Sequence, residues 1–221
     1  GAKYKNKPVG NCKYSDITVF SFHPVKIITT GEGGAAMTNS LQLAEKMKLL
    51  RGHGIIKDPN KMKKKPDGDW YYEQIVLGFN YRMTDIQAAL GISQLSRINF
   101  YIKKREDIVY KYSNELDISK VSLLKQKDEV KSSHHLCVIK LNKDDRNLRD
   151  SLYYHLRENN INVQIHYIPL YRNKFYNGSE YKEGYINSEK YYDTALTIPL
   201  FPDLQENQRL MIVSLINSYL D

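Results

Sequence analysis

Lys26 lies in the string Ser21-Phe-His-Pro-Val-Lys26-Ile-Ile-Thr-Thr-Gly-Glu-Gly-Gly34, directly after the short, largely apolar run Asp16-Ile-Thr-Val-Phe20. A lysine amine attacks a carbonyl only in its neutral form, which partial burial and neighbouring positive charge favour. Just past a buried strand, with a serine and a histidine before it and paired glycines after it, Lys26 is placed to form an imine with an aldehyde cofactor. Pyridoxal 5′-phosphate is the obvious one. Ser21, at the strand exit, offers a hydroxyl to a phosphate. Gly33 and Gly34 remove side chains where backbone must turn sharply or pass close to a ligand. His23 is a weaker candidate, either orienting the lysine loop or packing beside it. A surface lysine in a hairpin between residues 18–22 and 35–38 would account for Lys26 alone, but not for the whole string.

Gly78-Phe-Asn80-Tyr-Arg82-Met-Thr-Asp-Ile-Gln87 is the second informative string. Asn80 carries both a donor and an acceptor, and Arg82 presents a planar fork suited to a carboxylate or phosphate. The structural alternative for Arg82 is an ion pair with an acid such as Asp85. The third string, His166-Tyr167-Ile168-Pro169-Leu-Tyr171, follows a run of alternating character. His53, in Arg51-Gly-His-Gly54, is a further possible site residue. His134 and His135 have no accompanying ligand cluster, so no metal is assigned.

Together these strings resemble the DegT/DnrJ/EryC1/StrS family of sugar aminotransferases. The resemblance implies that Lys26 is the cofactor-bearing lysine and that Ser21 and Asn80 bind cofactor. It also implies that Asn80 reaches into a neighbouring subunit's site in a homodimer with shared active sites. By the same resemblance, His166, Tyr167, Ile168 and Pro169 touch the nucleotide-linked sugar, with Asn80 and Arg82 assisting. The implied reaction moves an amino group from an amino acid, glutamate by expectation, to C4 of a UDP-linked 4-keto-6-deoxy-N-acetyl hexosamine. The family's dehydratase branch carries histidine in place of the lysine, so Lys26 argues against it. A transaminase for another nucleotide-linked keto sugar remains an alternative. The chain starts at Gly1, not at a methionine, and resembles only the C-terminal part of a family member. The aspartate that pairs with the pyridine nitrogen is expected to lie outside it, and this piece alone is expected to be inactive.

The elements that must hold these residues can be read from periodicity and caps. Leu41 to Leu50 has helical spacing and stops at Gly52; a long loop then runs to Gly78. Thr84-Asp-Ile-Gln87 has the form of a capping box opening a helix through Leu95. Gly91 inside that helix costs about 1 kcal/mol relative to alanine, which signals close packing against something. A second helix is expected over 101–116, then a strand over 136–141, a helix over 148–159, a strand over 162–167 and a closing helix over 205–220. The expected fold class is α/β. The family resemblance implies that residues 1–98 are the later part of a fold-type-I pyridoxal-phosphate-transferase large domain, and the alternation of elements that 99–221 is a small α+β domain.

Composition narrows the classes. Cys12 and Cys137 belong to no paired motif, so neither a disulfide framework nor a zinc site is indicated, and a cytoplasmic setting fits. No stretch is apolar enough for a membrane span. The formal net charge of +8 favours anionic partners, with much of the excess at Lys57 and Lys61-Met-Lys-Lys-Lys65. That run reads as a solvated loop or as steering for a diphosphate. A basic nucleic-acid module is the competing class. It is disfavoured because the run lacks interleaved aromatics and no nucleic-acid motif accompanies it.

Overall fold

The structure is a computed structural model describing residues 1–176 and 184–221. The backbone divides into two compact units, Gly1–Ile98 and Asn99–Asp221.

The first unit opens with the short antiparallel pair β1 (Lys3–Tyr4) and β2 (Lys7–Pro8). The lysine hairpin follows as β3 (Thr18–Ser21) and β4 (Gly34–Met37), in a register that sets Thr18 opposite Met37 and Ser21 opposite Gly34. Helix α1 (Leu41–Arg51) starts where the Ser40 side chain accepts from the Leu43 N–H, and it stops at Gly52. The segment expected as a long loop is instead a closed excursion. Strand β5 (Ile55–Ile56) pairs with β6 (Glu73–Gln74), and a single turn of 3-10 helix spans Pro59–Lys61. Two-residue strands are too short to leave a periodicity, which is why the pattern did not show them. Gly54 sits at the neck with φ +70°, where a Cβ would fall 1.9 Å from the Val76 carbonyl oxygen, so only glycine fits. The lysine run is tied down locally: the Glu73 carboxylate accepts from the Lys63 and Lys64 N–H groups at 2.9 and 3.0 Å, and Lys61 pairs with Glu45 at 3.6 Å.

Helix α2 (Asp85–Leu95) opens on the reciprocal capping box of Thr84 and Gln87. Among the described residues of this unit no apolar side chain is fully buried, and Leu77 and Ile86 are 84% and 85% exposed.

The second unit has its own core. It comprises most of α3 (Ile98–Glu115), then β7 (Val121–Leu123), β8 (Val130–Lys131), β9 (Cys137–Leu141), α4 (Arg146–Glu158), α5 (Ile186–Thr194), β10 (Ala195–Ile198) and α6 (Glu206–Leu220). Strand β9 is central in the antiparallel order β10-β9-β7, with Ile139 facing Leu196 on one side and Leu123 on the other. Tyr112, Ile139, Leu152, Leu156, Val163 and Ile216 are wholly withdrawn from solvent and form one cluster. Helix α4 begins where Asp145 accepts from the Leu148 N–H, a bond that lowers the Asp145 pKa. The strand expected over 162–167 is reduced to one bridge, Gln164 with Thr197. The chain leaves the sheet edge after that contact, on the way to Pro169. Helix α5 and strand β10 were not anticipated, because β10 is buried at all four positions and follows α5 with no turn between them.

Both cysteines are free. Among the described residues no helix is long and apolar enough to cross a membrane, and no cluster of potential metal ligands occurs.

Candidate active site

The loop between β3 and β4 is held from within by its own polar groups. The Phe22 N–H donates to the Gly33 carbonyl at 2.9 Å, and the Phe22 carbonyl accepts from the Thr30 N–H at 3.0 Å and the Thr29 hydroxyl at 2.9 Å. Lys26 sits at the end of a turn in which its N–H donates to the His23 carbonyl at 2.9 Å. Ser21 flanks the same turn, its hydroxyl oxygen accepting from the His23 N–H at 3.4 Å. His23 Nε2 lies 3.8 Å from the Glu32 carboxylate, and both side chains are exposed. Lys26 itself is half-buried, and its amine has no hydrogen-bond or ion-pair partner among the described residues. A primary amine free of such partners is available to a carbonyl compound.

The loop is also docked onto the second string. Thr30, 3% exposed, is the joint. A Cβ on Gly91 of α2 would lie 2.8 Å from Thr30 Cγ2, which is the close packing that a glycine inside a helix implied. Next to it, a Cβ on Gly33 would meet Thr30 Oγ1 at 2.3 Å and Met83 Cε at 2.8 Å. Gln87 Nε2 donates to the Glu32 carbonyl at 3.0 Å. The lysine loop and the Asn80 to Gln87 string are thus one local assembly. Thr30 and Gln87 were missed as site-building residues; Gln87 was legible only as a helix cap.

Asn80 is held by backbone. It bridges Gly52, while the Phe79 and Tyr81 N–H groups donate to the Leu50 and Arg51 carbonyls at 2.7 and 3.0 Å. The His53 N–H donates to the Phe79 carbonyl at 2.9 Å, so the Arg51 to Gly54 turn serves the site by fixing the Asn80 segment through main chain. Phe79 and Tyr81 stack with ring centroids 5.0 Å apart, and alternation along extended chain puts Asn80 on the opposite side. Arg82 is exposed and makes no ion pair among the described residues; the alternative pairing with Asp85 is not formed.

The third string lies in the second unit. His166 Nδ1 is 2.8 Å from the Thr197 hydroxyl, and its ring meets Tyr167 edge-on at 4.6 Å. Tyr167 and Ile168 are 69% and 54% exposed. Tyr167 and Pro169 line a cavity of about 460 Å³ with Leu170, Tyr171, Tyr185 and Tyr191. Tyr171 and Tyr185 stack at 4.7 Å. The Tyr171 hydroxyl donates to the Glu189 carboxylate at 2.7 Å; desolvation first and that bond second push the phenol pKa up to about 12. Arg172 pairs with the same carboxylate, anchoring the segment to α5. Tyr185 and Tyr191 were not singled out from the sequence, and Tyr171 only as the end of its string, although the run from 167 to 192 is rich in tyrosine.

Comparison with known proteins covers the same ground. A Campylobacter jejuni UDP-4-amino-4,6-dideoxy-N-acetyl-beta-L-altrosamine transaminase is 38% identical over 205 residues, which is 92% of this chain and 52% of the relative. The structure of Helicobacter pylori PseC, an aminotransferase involved in the biosynthesis of pseudoaminic acid, aligns with a TM-score of 0.88 and 31% identity over 100% of this chain and 57% of that one. A Streptococcus pneumoniae putative sugar aminotransferase in its PMP form aligns with a TM-score of 0.89 and 28% identity, over 99% and 56% of the two chains. The chain therefore spans about half the length of the curated relatives it matches. The fold is that of the fold-type-I pyridoxal-phosphate transferases, whose sugar-aminotransferase members use pyridoxal 5′-phosphate. The family model for DegT/DnrJ/EryC1/StrS aminotransferases matches residues 1–217, nearly end to end, and on that match the chain belongs to the DegT/DnrJ/EryC1/StrS aminotransferase family.

Proposed function

We propose that the protein containing this chain is a pyridoxal-phosphate-dependent aminotransferase that delivers nitrogen from an amino acid, glutamate in the simplest case, to C4 of a UDP-linked 4-keto-6-deoxy-N-acetyl hexosamine. The observation that carries the reading is the half-buried, unpaired Lys26 amine on a loop pinned at both ends. Likeness to the Campylobacter jejuni and Helicobacter pylori proteins supports the sugar class and a place in pseudaminic acid biosynthesis. Residues 1–98 would supply part of the cofactor-binding domain, and 99–221 a small domain that meets the sugar.

When bound, pyridoxal phosphate supplies an aldehyde and an electron sink that lets an amino group pass between donor and acceptor. Lys26 is the residue that would hold the group. The free Lys26 amine would serve as the base for the proton on the donor Cα. The Ser21 hydroxyl would donate to the cofactor's phosphate. Asn80 orients cofactor and sugar in the neighbouring site of a homodimer, and Arg82 receives a carboxylate or phosphate with its fork. His166 donates to the sugar diphosphate, while Tyr167, Ile168 and Pro169 bound the sugar face. The free Cys12 and Cys137 suit a reducing, cytoplasmic setting.

The test is Lys26→Ala in the full-length protein. Borohydride should fix cofactor onto wild-type Lys26 and not onto the variant, and turnover should disappear. Transamination by the variant at the wild-type rate would remove the assignment.

A further inference from the structure

We propose that Gln87 is a positioning residue for the Lys26 amine, acting through one carboxamide that does two jobs. Its Oε1 accepts from the Thr84 N–H at 2.9 Å, completing the cap of α2. Its Nε2 donates to the Glu32 carbonyl at 3.0 Å, across a separation of 55 residues. The same carbonyl oxygen accepts from the Thr30 hydroxyl at 2.7 Å, so both of its acceptor positions are used. Glu32 lies between the Thr30 joint and Gly33, whose carbonyl closes the loop on the Phe22 N–H. The bond from Gln87 therefore fixes the end of the loop that returns from Lys26, and it ties the loop to the helix that follows Asn80 and Arg82.

The chemistry requires glutamine specifically. Glutamic acid suits a capping box equally well, since it offers the same acceptor to the Thr84 N–H. It has no donor for the Glu32 carbonyl, and its carboxylate would face the partial negative charge of that oxygen. Gln87→Glu therefore separates the cap from the clamp: the helix start is preserved and only the tie to the lysine loop is lost. This inference rests on the reading of Lys26 given above, but the clamp itself can be measured without any turnover.

The experiment uses full-length protein, comparing wild type with Gln87→Glu and Gln87→Leu. Hydrogen exchange without cofactor reports whether the loop is tied. Amides of residues 22–34 should exchange about tenfold faster in Gln87→Glu, the effect of losing one hydrogen bond, while amides of α2 keep their protection. With pyridoxal phosphate bound, the pH midpoint of its visible absorption should shift, because the amine that carries it is held less well. Gln87→Leu, which loses the clamp and both bonds that Oε1 accepts from Thr84, should loosen the loop and the start of α2 together. The proposal is overturned if Gln87→Glu leaves either the exchange of 22–34 or the absorption midpoint at its wild-type value. A failed Lys26→Ala test would instead remove the catalytic reading while leaving the exchange result standing.

Discussion

His166 Nδ1 stands 2.8 Å from the hydroxyl of Thr197, a residue whose own N–H and carbonyl are both bonded to Gln164. The strand end that carries the His-Tyr-Ile-Pro segment is thus referenced to β10 by two main-chain bonds and one side-chain bond. Thr197 is 8% exposed, so its hydroxyl is a fixed, nearly dry partner for the ring. Thr197→Val keeps the shape and removes that partner. The expected cost is about 1 kcal/mol in stability with a several-fold rise in KM for the nucleotide sugar. His166→Ala should raise the same KM about ten- to a hundredfold, the loss of a charge-assisted bond. In both variants the conversion driven by amino-acid donor alone, followed by the cofactor's absorbance, should be nearly unchanged. A donor step as damaged as the sugar step would show that His166 supports the fold or the cofactor instead.

Asn80 and Lys26 should complement each other across subunits. If Asn80 serves the neighbour's site, mixing Lys26→Ala and Asn80→Ala forms of the full-length protein restores part of the activity, since one composite site per dimer is intact. Verified heterodimers with no recovered activity would confine Asn80 to its own chain.

Gly91 and Thr30 should behave as a coupled pair. Alanine in a helix interior ordinarily gains about 1 kcal/mol over glycine. At Gly91 the new Cβ would lie 2.8 Å from Thr30 Cγ2, so Gly91→Ala should destabilise the protein. Thr30→Ser removes that methyl and keeps the hydroxyl that donates to Glu32. In its background Gly91→Ala should turn neutral or stabilising, and urea unfolding of the four combinations measures the coupling.

Cys137 should make the second unit sensitive to alkali. Burial pushes its thiol pKa from 9.0 up to about 12, so the folded form holds its proton where the unfolded chain releases it. The unfolded state then binds fewer protons between pH 9 and 12, and stability falls across that window by up to about 1.4 kcal/mol per pH unit. Below pH 9 both states are protonated and the group contributes no slope. Tyr112, also pushed up by burial, acts in the same direction at higher pH. Cys137→Ala should flatten the pH dependence without abolishing it. A thiol reagent should react with half-buried Cys12 and spare Cys137 until the unit unfolds.

The sequence by itself determined the elements whose signals are local. Thr84 accepts from a backbone N–H three residues on and α1 shows in its helical spacing, signals that depend only on neighbouring residues, so α1, α2 and α4 were readable within a residue or two; the Ser40 and Asp145 caps are equally local but were not singled out. The hairpin around Lys26 and the family resemblance of its string were readable for the same reason. Tertiary structure alone decided what brings those pieces together. Gln87 looked complete as a cap, and its second bond to Glu32 has no trace in spacing because the partners lie 55 residues apart. Gly91 announced a close neighbour without naming Thr30. The run at 162–167 alternates as a strand should, yet only Gln164 finds a partner, because pairing is set by where β10 runs and not by the pattern of the run itself. Local hydrogen bonds and periodicity are properties of a segment; docking, register and clamping are properties of pairs, and a single sequence records one side of each pair at a time.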